Sequence, residues 1–165
     1  MGVSNFEKIV KELSPKLYSY VYRFVLNRED AEDVLQSVFI SFHKKMDSVD
    51  EEKASSYLYR SCHNKAIDYM KKRNRTTLVA PLDFKNLAAE DNSAEETRKS
   101  MNTKLIQLAI AKLPAKMAML IEMKNFRKMS YKEMSAETGL SIKAIESQLV
   151  RARKKMKKEI EKHRL

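Results

Sequence analysis

The chain has 165 residues with 33 Lys and Arg against 22 Asp and Glu, for a formal net charge of +11; 43% of residues are hydrophobic and 33% charged. That length holds one ordinary domain or two very small ones, and the balance is that of a soluble folded protein rather than a disordered one. Gly 2 and Pro 3 are too few for the many turns of an all-β fold, and the single cysteine, Cys62, excludes a disulfide framework or a Cys-based zinc site.

From the N-terminus, Phe6, Ile9, Val10 and Leu13 recur at helical spacing. Ser14-Pro15 reads as an N-cap with proline at the first helical position, and Leu17, Val21, Phe24 and Val25 carry an apolar face onward. Asn27 to Asp30 forms a turn, and Asp30, Glu32 and Asp33 place acids in the first turn of the next helix, where they complement its dipole. That helix buries Val34, Leu35, Val38, Phe39 and Phe42. A polar loop, 47–56, leads to a third helix ending near Arg73, with Leu58, Cys62, Ala66, Ile67 and Met70 on its buried face. His63 beside Cys62 is no catalytic pair, because adjacent helical positions point roughly 100° apart.

The stretch 74–102 lacks steady periodicity and is rich in turn-forming residues such as Pro81, Asp83, Asn86 and Asn92, the mark of a linker. Four more helices follow. Leu105, Leu108, Ala109 and Leu113 line the first, which Pro114 ends; Met117, Leu120, Ile121 and Met123 mark the second. Ser130 and Glu133 form a capping box opening a short third helix. Gly139 breaks it, Ser141 caps the last, and Ile142, Ile145, Leu149, Ala152 and Met156 line one face of that last helix.

The charge is unevenly spread. Residues 1–73 carry +2 and 74–102 carry −1, whereas 103–165 carry 16 basic and 6 acidic side chains, for +10. Such asymmetry suggests nucleic-acid contact by the C-terminal part; a solubilising or lipid-touching basic helix accounts for the same charge. The segment from Ser130 to Leu149 has helix-turn-helix spacing, with Ser135 small enough for close approach, Gly139 free to take positive φ, and Met134, Leu140 and Ile145 as its small core. The opposite face of the last helix presents Lys143, Glu146, Ser147, Val150 and Arg151 to a major groove, with Arg153, Lys154 and Lys155 placed for phosphates. A helix hairpin without DNA function has the same spacing, which the +10 charge makes the weaker reading.

Two stretches of the N-terminal half, Asp30-Ala-Glu-Asp-Val-Leu-Gln-Ser-Val-Phe and Tyr57-Leu-Tyr-Arg-Ser-Cys-His-Asn-Lys-Ala-Ile-Asp-Tyr, closely resemble the σ2 domain of bacterial sigma-70 family factors. The nearest group is the extracytoplasmic-function (ECF) sigma factors. Leu113-Pro114, Met129-Ser-Tyr-Lys-Glu-Met-Ser and Val150-Arg-Ala-Arg resemble their σ4 domain. The resemblance implies an all-α chain of two small helical domains, a σ2-like bundle over 1–75 and a σ4-like helix-turn-helix over 103–165, joined by a flexible linker over 76–102. It implies a transcription initiation factor that binds core RNA polymerase, directs it to promoters and helps melt the DNA, without enzymatic activity, cofactor or small-molecule substrate.

Residue by residue, the resemblance assigns Asp30, Asp33 and Gln36 to the clamp helices of the largest polymerase subunits, where exposed carboxylates and an amide suit an Arg-rich surface. Asn64 matches the asparagine at the pocket for a flipped minus-ten base. Tyr57, in place of the usual Trp, with Tyr59, Arg60, Lys71, Lys72 and Arg73 would supply stacking and phosphate neutralisation there; Tyr57 equally suits a core. Glu146, Ser147, Val150 and Arg151 would read the minus-thirty-five element, with Lys143 and Lys154 on the same face and Arg153 on phosphate. An anti-sigma factor is the expected regulator. Three positions depart from the family pattern: Ser37 where a second acid follows Gln36, Ala54 where a loop aromatic is common, and Glu146 with Gln148 where basic residues are frequent.

The alternative is a stand-alone helix-turn-helix regulator, which leaves the Asp30 and Tyr57–Tyr69 patterns unexplained. A nucleic-acid-processing enzyme lacks support, since no carboxylate cluster or phosphate-binding Gly loop is visible and His43, His63 and His163 have no ligand spacing. The longest apolar runs are far short of the roughly 20 residues that span a bilayer, and no secretion signal opens the chain, so a cytoplasmic protein is expected.

Overall fold

The structure, a computed structural model, describes residues 2–76 and 94–163. Seven α-helices and no strand occur among them: α1 (Val3–Val25), α2 (Arg28–Lys45), α3 (Ala54–Thr76), α4 (Ala94–Ala111), α5 (Ala115–Ile121), α6 (Tyr131–Thr138) and α7 (Ile142–His163).

Helix α1 runs unbroken through Ser14-Pro15, where the sequence suggested a new start. Proline inside a helix forfeits one backbone bond and crowds the preceding turn. Here the buried stripe Leu13, Leu17, Tyr20, Val21 and Phe24 continues across it, and the Ser14 hydroxyl bonds the Val10 carbonyl at 2.6 Å. Burial on that scale, about 2 kcal/mol per large apolar side chain, outweighs the local fault. The helix ends at Leu26, which takes φ 56° and returns its N–H to Tyr22.

Asn27 caps α2, its side chain accepting the Asp30 N–H at 3.0 Å. Ala31, Val34, Leu35, Val38 and Phe42 then turn inward against α1 and α3. The polar loop contains two short 3-10 turns, Met46–Ser48 and Glu51–Lys53, and α3 starts at Ala54 because Ala54, Leu58 and Tyr59 are all buried.

Residues 77–93 of the expected linker lie outside the described residues. Its final part, 94–102, is helical and opens α4. Glu, Arg, Lys and Met in this stretch favour helix without producing an apolar stripe, so periodicity alone missed it. Pro114, expected to end α4, stands after that helix has already closed at Ala111 and is the N-cap residue of α5. A π-helical turn, Glu122–Phe126, extends α5 and closes with the Arg127 N–H on the Glu122 carbonyl at 3.0 Å.

The two halves share a continuous core. Leu17, Phe24, Leu58 and Cys62 from the first and Leu113, Leu120, Met123 and Ile145 from the second belong to one cluster, and α3 packs against α5 and touches α6.

Candidate nucleic-acid interface

The helix-turn-helix is built as its residues require. Ser130 Oγ accepts the Glu133 N–H at 3.1 Å while the Glu133 carboxylate accepts the Ser130 N–H at 2.7 Å, closing the capping box. The Ser130 bonds hold the exposed Glu133 carboxyl below the usual range. Gly139 sits at φ 72°, and the Ser135 hydroxyl bonds the Leu140 carbonyl at 2.6 Å, drawing the turn against α6. Thr138 Oγ1 donates to Met134 and accepts from Leu140, and Ser141 Oγ accepts the Ala144 N–H at 3.1 Å to cap α7. Met134 and Ile145 are fully buried, with half-buried Leu140 packed against them.

That core turns the other side of α7 outward. Lys143, Glu146, Ser147, Val150, Arg151, Arg153 and Lys154 are all exposed, as is Lys155. Val150 is 56% exposed, an apolar group left in water within a charged row. Ile142, expected on the inner face, is 44% exposed at the first position of α7. At the far end Lys112, just past α4, lies 3.6 Å from Glu159, tying α7 back to the bundle.

The minus-ten candidates divide. Arg60 and Asn64 are exposed on α3, and Lys71, Lys72 and Arg73 form a basic exposed end to it. Arg73 also donates to the Val25 carbonyl at 3.1 Å, serving the end of α1. Tyr57 is half-buried, its ring 5.6 Å from that of Phe42. Tyr59 departs from expectation: it is 0% exposed, edge-on to Tyr20 at 5.7 Å, with its hydroxyl accepting from Arg127 at 3.2 Å. In this arrangement it is a core ring and offers no stacking face. Burial pushes its hydroxyl pKa up against the opposing pull of Arg127.

Asp33 and Gln36 are exposed on α2, as their assignment needs. Asp30 is only half-exposed and accepts the hydroxyl of Tyr69, so its carboxylate is already engaged within the fold. Ser37, where the family pattern has an acid, receives Lys65 of α3 on its hydroxyl. Ala54 is buried as the first residue of α3.

Several interactions were not foreseen from sequence. Arg127 makes a two-pronged bond to Glu137 at 2.8 and 3.0 Å, and Ser55 donates to the same carboxylate at 2.7 Å. Burial works to raise the Glu137 carboxyl, yet the bonds from Arg127 and Ser55 outweigh it and hold the pKa low. Buried His63 accepts the Tyr20 hydroxyl on Nδ1 at 2.6 Å and gives its Nε2–H to the Leu113 carbonyl at 3.1 Å. A carbonyl only accepts, so the ring is the neutral Nε2–H tautomer, and burial lowers its pKa. Neighbouring Cys62 is packed, its thiol pushed up to about 12 by burial. Arg23 pairs with buried Glu122 and lies 4.1 Å over the Phe126 ring. Burial raises the Glu122 pKa despite that partner. The sequence did carry one signal: Tyr59, His63 and Ala66 recur at helical spacing as a second stripe beside Leu58 and Cys62.

A cleft of about 450 Å³ runs between the loop at Ser48–Lys53 with Tyr57 and Arg60 on one side and Lys116, Met119 and Leu140 on the other.

Comparison with known proteins matches residues 9–76 to the family model for Sigma-70 region 2 and residues 103–156 to that for Sigma-70, region 4. The RNA polymerase sigma factor SigZ of Bacillus subtilis (strain 168) is 30% identical over 159 residues, covering 95% of this chain and 88% of that protein. The ECF RNA polymerase sigma factor SigE of Mycolicibacterium smegmatis is 24% identical over 164 residues, and the match spans 98% of this chain but 64% of that relative's length. Among solved structures, CnrH in complex with the cytosolic domain of CnrY superposes with a TM-score of 0.51 at 23% identity, over 96% of this chain and 88% of that one, a likeness of fold.

Proposed function

Because the chain belongs to the sigma-70 family, in its ECF group, we propose a division of labour in which residues 1–75 bind polymerase and open the minus-ten element while residues 103–165 read the minus-thirty-five element. The protein is a transcription initiation factor. Its partners are core RNA polymerase and promoter DNA, with an anti-sigma factor as regulator. The polymerase makes the phosphodiester bonds; this subunit supplies recognition and strand opening in the cytoplasm, with no chemistry of its own.

One observation carries the reading. The side chains assigned to the minus-thirty-five element, Lys143, Glu146, Ser147, Val150, Arg151, Arg153 and Lys154, are all exposed on α7 while Met134 and Ile145 lock its inner side. Arg151 suits guanine through its two-pronged donor geometry, and Val150 suits a thymine methyl. Asp33 and Gln36 supply the polymerase contact, with Asp30 helping to set the surface through Tyr69. Asn64, Tyr57 and Arg60 with the basic residues Lys71, Lys72 and Arg73 supply the minus-ten contact, while Tyr59 serves the core beneath them. A stand-alone regulator is not favoured, since the match to region 2 extends over residues 9–76.

Co-elution with purified core RNA polymerase on size exclusion tests the reading. A stoichiometric complex supports it. A chain that binds duplex DNA but never polymerase contradicts it.

A further inference from the structure

The outer surface of α7 divides into two lines, because residues four apart on a helix stand one above the other. Lys143, Ser147, Arg151 and Lys155 form one line, cationic apart from a single hydroxyl, as a helix facing DNA phosphates should be. The other line is Ile142, Glu146 and Val150, and it holds no cation. Ile142 is 44% exposed and Val150 56%, and a carboxylate stands between these two apolar side chains left in water.

Packing does not account for this second line. The inner side of α7 is complete without it, with Ile145, Leu149 and Ala152 fully buried. Nor does Glu146 serve the fold as the neighbouring acids do. Glu133 closes the capping box, Glu137 holds Arg127, and Glu159 lies against Lys112. Among the described residues Glu146 takes part in no hydrogen bond or ion pair, and its neighbour one turn on is Val150 rather than a cation. It is the first acid of α7, and the next is Glu159. A free carboxylate on a helix facing phosphates opposes binding unless it meets a group that donates.

The bases decide which group that is. A carboxylate only accepts. In the major groove guanine and thymine turn acceptors toward it, and adenine sets an N7 acceptor beside its N6 amino group, whereas cytosine offers its N4 amino group alone. Exposed apolar side chains one turn to either side suit thymine methyl groups. We infer that the Ile142–Glu146–Val150 line reads a pyrimidine stretch of the minus-thirty-five element, with Glu146 accepting the N4 amino group of a cytosine and the flanking apolar side chains against thymine methyls. This rests on the assignment of α7 to that element proposed above, and it names the base class selected there and the residue that selects it. The guanine suited to Arg151 then belongs to the complementary purine strand.

The test uses the full chain bound to core RNA polymerase and a pool of duplexes randomised across the upstream element, with bound duplexes sequenced. The parent should prefer cytosine about tenfold over other bases at one position, within a pyrimidine-rich strand. Glu146→Gln exchanges the carboxylate for an amide, which pairs bidentately with adenine. The preferred base at that position should therefore change from cytosine to adenine while the others hold. Glu146→Ala should flatten that position alone. Val150→Ala should weaken a thymine preference nearby and leave the cytosine in place. Both sites are exposed, and thermal melts matching the parent's exclude misfolding as the cause.

A parent with no cytosine preference at any position overturns the inference. So do Glu146 variants that change affinity evenly over all sequences, since Glu146 would then act only as a brake on phosphate contact. If an upstream element is enriched and the Glu146 variants leave it unaltered, the inference alone is wrong. If the parent complex enriches no upstream element, the assignment of α7 has failed with it.

Discussion

Arg127 in the second half of the chain donates to the hydroxyl of Tyr59 in the first, 3.2 Å away, while holding Glu137 with the same guanidinium. One side chain thus satisfies a buried phenol on α3 and a carboxylate on α6. The residue emerges just after the π-helical turn that ends the α5 segment.

Arg127→Ala leaves Glu137 without its two-pronged partner and the Tyr59 hydroxyl without a donor. Hydrogen bonds to charged groups are worth about 1.5–3 kcal/mol, so unfolding by urea should show a loss of about 2 kcal/mol. A loss under a few tenths would mean that the guanidinium is dispensable where it lies.

His63 supplies a pH dependence with a fixed sign. Its pKa is lowered in the fold by burial, against an ordinary value near 6.5. The unfolded chain therefore binds a proton that the folded chain resists, and stability falls as pH drops below about 6.5 toward the lowered value. Denaturant midpoints followed from neutral pH down to about pH 5 should decline in the parent and flatten in His63→Gln. Equal slopes in the two proteins would show that another group sets the trend.

Gly139 stands at φ 72°, and a Cβ built there meets nothing within 4 Å. The cost of Gly139→Ala is then conformational alone, about 1 kcal/mol for an L-residue in the left-handed region. A thermal melt of the variant measures it. A far larger loss would point to a clash that this geometry does not contain.

Arg151 lies on the exposed row of α7 and is assigned to a base. Arg151→Ala should cost about 1–3 kcal/mol on a preferred duplex and relax selectivity at one position of the minus-thirty-five element. Affinity measured across a set of single-base variants decides this. An even loss over all sequences makes the residue a phosphate contact.

Asp33 and Gln36 are exposed on α2, and neither is used in a described bond within the fold. The double change Asp33→Ala with Gln36→Ala should weaken binding to core polymerase by about tenfold or more while the melting curve stays put. Unchanged affinity removes α2 from the polymerase contact.

The helices were legible in the sequence where one apolar stripe met one clear punctuation mark. Ser130, Gly139 and Ser141 all act at the helix ends where the residues suggested, whereas the turn expected from Asn27 to Asp30 is the Asn27 cap and the first turn of α2. The misreadings have physical causes. Pro15 looked like a start because local chemistry favours it there, yet the stripe from Leu13 to Phe24 carried the helix through. The opening of α4 escaped notice because helix propensity without an apolar period leaves no pattern to find. On α7 the outer row was readable, since a helix that buries Ile145, Leu149 and Ala152 must expose the residues between them. The links between the halves were not readable. Arg127, Glu137, Ser55 and His63 are separated by long stretches of chain, and a pairing across such distance is written in tertiary packing rather than in local spacing. Tyr59 shows the consequence: its type suggested stacking on DNA, and its neighbours made it a core ring.

Transcription in vitro is the direct test that this chain directs polymerase to promoters. Purified protein and bacterial core RNA polymerase are combined on a pooled genomic template, and transcript starts are mapped. Discrete starts are expected that appear only with the protein and share upstream elements at the minus-ten and minus-thirty-five positions. Starts that are identical with and without it, while the chain still binds duplex DNA, would contradict it.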